Sequence, residues 1–287
     1  MNKSQKLEKI AGLICESYGP LVFTIFEIGA VPLGEAGEPF HDFPSIFSGS
    51  RVVAFELDAE LCKRLNQQAK PGIHYFPVAL GLKNEKRILF ETKHPMCSSL
   101  LRPDTELLQR FNGLEVAMPV SVSTIQTSGL DEFVRLQQFV PDFIKIDIQG
   151  AELEVFRGGI ETLRSVVGVV SEVEFLPLYV NQPLFGDVCS FLSEQKITFH
   201  KFLNLAGRTL EPLVINDDST FATQHLWADA MYLRDQAGLE KMSDEMVLKM
   251  GVLAFLYDSP DVSYCCFKQY DLRRGSALHT CVAELVG

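Results

Sequence analysis

The sequence predicts an α/β protein built on a doubly wound, mainly parallel sheet, and three observations lead there. Between Leu21 and Arg234, short apolar runs dense in β-branched and aromatic residues alternate with segments of helical periodicity. Continuous apolar runs of this length suit strands covered on both faces, as in a parallel sheet. Several of the runs close on a carboxylate or a glycine, the residue types found where such strands meet a ligand. The 287 residues are 47% hydrophobic and 22% charged, which excludes global disorder and allows one large domain or two modest ones.

Taken in order, Lys3 to Tyr18 places Leu7, Ile10, Leu13 and Ile14 at helical spacing, with Gly19-Pro20 as a stop. LVFTIFEIGA (21–30) reads as the first strand, and a loop rich in Gly and Pro follows it. RVVAFEL (51–57) is the second strand and runs into a helix from Asp58 to Ala69. Pro71-Gly72 breaks the chain before a third strand, IHYFPVAL (73–80). From Gly81 to Val122 the pattern loosens: KRILFET alternates like an exposed strand, HPMCSSL is a loop, TELLQRF a short helix and EVAMPVSVS a strand. An amphipathic helix carrying Leu130, Phe133, Val134 and Leu136 lies within Thr124 to Gln138. DFIKIDI (142–148) is a fourth strand of the main series and leads directly into the helix GAELEVFRGG. SVVGVVSEVEF is the fifth strand, Leu184 to Glu194 a helix, and ITFHKFL and LWADAMYLR the last two strands, expected as an antiparallel pair. Met242–Tyr257 and Tyr270–Leu285 read as tail helices. This divides the chain into an N-terminal helix (1–20), a seven-stranded sheet domain (21–236) with an insertion at 81–123, and a helical C-terminal extension (237–287) through which a homodimer is possible; the insertion and the C-terminal helices are expected to shape the acceptor pocket together.

Lys and Arg number 26 against 37 Asp and Glu, a formal charge of −11, and the longest cationic run, Arg273-Arg274, is two residues. Such a chain repels phosphate backbones, so nucleic acid is disfavoured as a partner. The seven cysteines include no CxxC pair and are expected as reduced, mostly buried thiols. The N-terminus has no apolar core of signal-peptide length and no run of eighteen apolar residues occurs, so no integral membrane segment and a cytoplasmic location are expected.

Chemistry is expected at three strand ends. Gly29, in Glu27-Ile28-Gly29-Ala30, allows close backbone approach to a ligand; an ordinary strand-to-helix turn is the plain alternative. Glu56, in Phe55-Glu56-Leu57-Asp58, ends an otherwise apolar strand and has two acceptor oxygens for a ribose diol, while Asp58 reads as the N-cap of the next helix. In FIKIDIQGAELEVFRGG, Lys145 and Asp147 share one side of a central strand. Two charges there need pairing or an exposed mouth, which makes Asp147 the natural catalytic or substrate-contacting candidate. Glu152 and Glu154 start the next helix, and dipole stabilisation accounts better for Glu154 than for Glu152.

PDFIKIDIQGAELEVFRGG resembles the signature of the FkbM-type methyltransferases. RVVAFELDAE, FPVALG, CSSL, SEVEFLPLYVNQPLFGDVCSFL and LWADAMYLR resemble further elements of that family in the same order, over about Val22 to Arg234. The resemblance implies a class I methyltransferase (Rossmann-like) fold, S-adenosyl-L-methionine as cofactor, and O-methylation of a hydroxyl on a sugar, glycolipid or natural product. It further implies that Glu27 and Gly29, with Ala30, flank the methionine part, that Glu56 and Leu57 hold the ribose, that Ala79 and Leu80 lie near the adenine, and that Asp147 sits at the reacting centre. The sequence departs from the family pattern in Glu27-Ile28-Gly29-Ala30-Val31-Pro32-Leu33-Gly34, where the usual Asp and Asn are missing and the second glycine is one place late, and at Gln149, where Glu is usual.

Removing a hydroxyl proton during methyl transfer requires a base. Asp147 is the first candidate, followed by Glu174 and Glu152; Glu172 and Glu174 point the same way on their strand, so one of them is expected to be structural. His94, before Ser98-Ser99, is a candidate substrate-side base or a solvated loop residue, and all three are candidates for contacting substrate. The metal question stays open: Asp147, Glu152 and Glu174 offer oxygen ligands, but carboxylates sharing a proton or bound to Lys145 need no divalent metal. Two other readings are a nicotinamide-dependent oxidoreductase, against which G-x-G-x-x-G is absent, and a binding or assembly protein of the same fold without turnover.

Overall fold

The computed structural model describes residues 1–30, 37–218, 220–221 and 224–286. Val31, Pro32, Leu33 and Gly34 of the unusual first loop therefore lie outside the described residues.

Helix α1 (Lys3–Ser17) starts in a reciprocal cap between Asn2 and Gln5 and buries Leu7, Ile10 and Ile14. Strand β1 (Thr24–Ile28) follows. Pro39 and Pro44 fall in the first crossover, where the described residues form a 3-10 turn (Pro39–Asp42) and a single helical turn, α2 (Phe43–Ile46). After β2 (Arg51–Phe55), the Asp58 carboxylate accepts the backbone N–H groups of Glu60 and Leu61 and caps α3 (Ala59–Gln68) as expected.

The predicted third strand is two strands. Pro77 supplies no N–H and ends β3 (Ile73–Phe76), and the next residues, β4 (Ala79–Gly81), join a different sheet. There β5 (Glu85–Thr92) and, beyond the short helix α4 (Thr105–Leu108), the long β6 (Pro119–Gly129) form an antiparallel ribbon, with β4 parallel to β6. Glu115 to Met118, expected in strand, lie in and beside a 3-10 turn (Leu114–Ala117). Helix α5 (Leu130–Gln137), β7 (Phe143–Ile146), α6 (Glu152–Arg157), β8 (Gly168–Glu174), α7 (Phe185–Glu194), β9 (Ile197–Phe202), the two-residue β10 (Ala206–Gly207) and β11 (His225–Arg234) complete the alternating part.

The main sheet has the order β3-β2-β1-β7-β8-β11, with both β9 and β10 paired to β11. β3, β2, β1, β7 and β8 are parallel, and β11 runs antiparallel to β8 and to β9. The seven-stranded doubly wound sheet and its antiparallel last pair are thus as expected, with β10 a small addition at the edge.

Each face of the sheet has its own core. On one, Phe26, Ile28, Val53, Phe55, Ile144 and Ile146 meet Leu130 and Phe133 of α5, Val155 and Phe156 of α6, and Leu192 of α7. On the other, Phe23, Ile25, Val52, Phe143 and Met231 meet α1 and the C-terminal helices α8 (Asp244–Leu256), α9 (Pro260–Arg274) and α10 (Leu278–Val286). Each fully buried Leu or Phe contributes about 1.5–3 kcal/mol of transfer free energy. The tail helix predicted over Tyr270–Leu285 is in fact the end of α9 and the whole of α10, divided by Gly275 in the left-handed region (φ 72°). Residues 260–269, assigned no element from sequence, begin α9 at Pro260.

Every residue from Val247 to Leu256 is buried, and the Lys249 ammonium is held by Asp142 at 2.8 Å and Glu245 at 2.6 Å. Among the large apolar side chains described in these three helices, only Leu272 and Val286 are exposed. Seven free cysteines are present, of which three are buried, two half-buried and two (Cys15 and Cys265) exposed, fewer buried than expected. No described helix is long and apolar enough to cross a membrane.

Candidate active site

The strand registers set one rim. Ile28 is level with Phe55 on β2 and with Ile146 on β7, and Ile146 with Ser171 on β8, so Gly29, Glu56 and Asp147 just past their strands and Glu172 within β8 lie level at the same end of the sheet. Across the next strand, Trp227 pairs with Glu174. The second sheet and the 94–117 segment rise over this rim and enclose a cleft of about 830 Å³. That volume is in the range of small-molecule sites.

Ten of the sequence-predicted residues line the cleft: Gly29, Glu56, Leu57, Ala79, Leu80, His94, Ser98, Ser99, Asp147 and Glu174. At the β2 end, Glu56 is buried and accepts the Asp58 N–H at 2.9 Å, and burial raises its carboxyl above the usual range. Beside it, Leu57, Leu61, Val78, Ala79 and Leu80 form an apolar slot. Gly29 has φ 82°, and a Cβ there would fall 1.9 Å from the Asp147 carbonyl oxygen. The close approach that needs a glycine is therefore between the β1 end and the backbone of Asp147.

Glu27, Ala30 and Glu152 do not line the cleft. Glu27 is on the opposite side of β1 from Ile28, and its carboxylate contacts His41 Nε2 at 2.7 Å. Ala30 is buried and donates its N–H to Phe55 O. Glu152 is buried behind the turn after β7, where its Oε1 accepts the N–H groups of Ile148 (2.8 Å) and Gly150 (3.1 Å). The turn bends through Gln149 (φ 61°) and Gly150 (φ 98°), and Glu152 holds it in place. Burial pushes the Glu152 carboxyl up to about 7 despite those donors.

Asp147 accepts Gln149 Nε2 at 2.8 Å and lies 3.4 Å from Lys145 Nζ. The same Gln149 amide donates to Glu172 at 2.8 Å, so one side chain bridges both carboxylates. Burial opposes the Lys145 charge, but Asp147, Glu38, Asp229 and Glu27 outweigh it and hold the ammonium above its ordinary range. Glu172 is raised well above the carboxylate range by burial and then by Asp147 and Glu174. Glu174 is raised likewise by burial and then by Glu152 and Asp147. Like charges packed this closely favour protons on part of the group.

Asp147, Glu152 and Glu172 each offer one oxygen within 4.8 Å of the others, a spacing a divalent cation can use. Two of the three already accept the Gln149 amide and the third accepts two backbone donors.

The loop bearing His94, Ser98 and Ser99 is fastened by its own hydroxyls. Ser98 Oγ accepts the Thr92 N–H at 3.2 Å, and the buried Ser99 donates to Gln149 O at 2.7 Å. His94 is exposed at the cleft edge. Tyr179 Oη reaches Cys97 O at 2.8 Å and Gln149 Oε1 at 3.2 Å, joining this loop to the carboxylates. Gln149, Glu172, Tyr179, Arg208 and Trp227 are cleft residues not chosen as site residues from sequence. Period-two alternation already put Glu172 beside Glu174, and Gln149 stood out as a departure from the family pattern. No local pattern marks the other three.

The chain is similar in fold to methyltransferase FkbM from Methylobacillus flagellatus KT (13% identity, TM-score 0.40), with 74% of this chain and 43% of that chain covered, so it spans under half the length of that protein. It is also similar to a chain of the fibrillarin/Nop5p complex (14% identity, TM-score 0.31, 77% of this chain and 79% of that one). A third likeness is to an uncharacterized protein from Listeria monocytogenes serotype 4b (11% identity, TM-score 0.34, 99% of both chains). No curated protein matches the sequence. The strand order, with its antiparallel last pair, is class I methyltransferase-like. Residues 28–199, more than half of the chain, match the family model of the methyltransferase FkbM domain, and the chain belongs to that family.

Proposed function

We propose that this chain transfers a methyl group from S-adenosylmethionine to a hydroxyl of a sugar, glycolipid or natural-product acceptor. The observation that carries the reading is the order of groups in one cleft: Glu56 and an apolar slot at one end, and Asp147, Glu172 and Glu174 two to three strands away. At about 4.8 Å per strand, β2 to β8 spans roughly 14 Å, room for a nucleoside at one end and a reacting hydroxyl at the other.

The residues present fit the cofactor. Glu56 would take the ribose diol, Leu57, Val78, Ala79 and Leu80 the adenine, and the carboxylate-rich rim suits a cationic sulfonium. When bound, S-adenosylmethionine supplies an electrophilic methyl group. Asp147, aligned by Gln149 and Lys145, would accept the proton of the acceptor hydroxyl. Glu172 and Glu174, raised and therefore inclined to hold protons, would hydrogen-bond the acceptor's oxygens. Glu152 acts on the reaction through the turn it holds.

A dinucleotide fits less well, because its pyrophosphate is normally met by a G-x-G-x-x-G turn after the first strand, and that motif is absent from the sequence. Calorimetry with S-adenosylhomocysteine and with NAD tests the reading. Binding of the former is expected; binding of NAD alone would overturn it, and binding of neither would favour a protein without turnover.

A further inference from the structure

We infer that the acceptor carries an anionic oxygen group, a carboxylate or a phosphate ester, held by Arg208 at the β11 end of the cleft. The inference rests on the methyltransferase reading for its acceptor and adds that acceptor's chemical class. The cleft is lined by six carboxylate side chains, Glu56, Asp58, Glu91, Asp147, Glu172 and Glu174, and by one Lys or Arg, Arg208. A lone guanidinium in such a cleft would ordinarily pair with one of them. Arg208 does not: among the described residues no carboxylate lies within 4.0 Å of it, and its one hydrogen bond is from Nη1 to its own neighbour's carbonyl, Gly207 O, at 2.7 Å. Asp218, lowered chiefly by Thr220, feels its charge only from farther away.

The guanidinium is nevertheless held in place. Its Cζ stands 4.9 Å from the centre of the Trp227 ring, a cation–π contact. Gly113 is also close, since a Cβ there would come 3.7 Å from Nε and 3.9 Å from Cδ. A flat cation held against an indole, with most of its N–H donors unused among the described residues, is prepared for a planar or tetrahedral oxyanion.

The position agrees with the proposed chemistry. Trp227 pairs with Glu174 on β8, and β11 is two strands from β7 and its Asp147. That is roughly 10 Å, about the reach of one sugar ring with a charged substituent. A hydroxyl at Asp147 and an anion at Arg208 would thus belong to one small acceptor, with the anion kept away from the carboxylates.

Calorimetry on the full chain saturated with S-adenosylhomocysteine, using glucuronate, glucose 6-phosphate and glucose as probes, tests this. At least one anionic probe should bind at least about tenfold more tightly than glucose. Arg208→Met should abolish that difference, and Arg208→Lys should restore part of it, since a lysine keeps the charge without the fork. Which anion binds distinguishes carboxylate from phosphate recognition. Glucose binding as tightly as both anions, no anion binding to the wild type, or an unchanged preference in Arg208→Met would each overturn the inference. The S-adenosylhomocysteine titration on the same sample separates the two proposals. Its failure alongside Arg208-dependent anion binding would count against methyl transfer, and its success without anion preference against Arg208 alone.

Discussion

Replacing Gly29 by alanine is the sharpest probe of how the two halves of the site depend on each other. Its φ of 82° lies in the left-handed region, which costs an L-residue about 1–2 kcal/mol. The added Cβ would lie 1.9 Å from the Asp147 carbonyl oxygen and 2.9 Å from its carbon, both backbone atoms that cannot rotate aside. Relief requires β1 and β7 to separate where Asp147 N–H donates to Ile28 O at 3.0 Å. Overpacking of this kind costs about 1–3 kcal/mol. The sum, roughly 2–5 kcal/mol, corresponds to a fall in melting temperature of about 3–8 °C for a chain of this size. Circular dichroism melting of Gly29→Ala beside Gly12→Ala measures it. Gly12 is exposed in the middle of α1 with nothing within 4 Å of its would-be Cβ, so its alanine variant should match or exceed wild-type stability. The surviving Gly29→Ala protein should also lose turnover more than cofactor affinity, since the displaced group is Asp147. A melting temperature within about 2 °C of wild type would show that the β1 end and the β7 turn are not in the contact described.

Three further outcomes are expected. Glu56→Ala should weaken S-adenosylhomocysteine binding by about 1–3 kcal/mol in calorimetry through loss of charge-assisted ribose bonds; unchanged affinity would remove Glu56 from the ribose. Asp147→Asn should abolish methyl transfer followed by mass spectrometry while leaving cofactor affinity nearly intact, and wild-type turnover would show that Asp147 is not the base. Glu152, raised to about 7 by burial, binds its proton more tightly folded than unfolded, so its stabilising contribution is complete below the ordinary carboxylate value and lost as pH rises toward and through 7. Glu152→Gln keeps an oxygen for Ile148 and Gly150 without titrating. Its stability relative to wild type should rise by about 1–3 kcal/mol between pH 4 and pH 8, and a difference that stays flat with pH in urea melts would contradict the assignment.

Local pattern determined most of the main sheet. A strand buried on both faces must be largely apolar, and that predominance is visible in TIFEI, RVVAF, FIKI and GVVSEVE without knowledge of their neighbours. The same reasoning located Glu56, Asp147 and Glu174, because a charge that ends an apolar run has to sit at the strand mouth. Sequence did not reveal which strands pair beyond the alternating series. The switch of β4 into a second sheet depends on β6, some forty residues later, offering it an edge. Nor did periodicity find α9, which is covered by α8 on one side and α10 on another and so shows no single apolar stripe.

The site divides along the same line. Alternation tells on which side of a strand a residue lies, and so it grouped Glu172 with Glu174, but it cannot tell what waits opposite. Alternation does not give the contacts of Glu27 with His41 or of Glu152 with the backbone of the turn after β7. Gln149 reaches Glu172 across 23 residues and Tyr179 across 30, and Arg208 meets Trp227 across a loop and a strand partner. The sequence by itself determined which residues end strands and which of them are acidic, because burial of a strand is a local constraint on composition. Only the tertiary structure decided which carboxylates crowd together, which turn away from the cleft and which cation stands unpaired by them, because those depend on distances set by packing between segments remote in the chain.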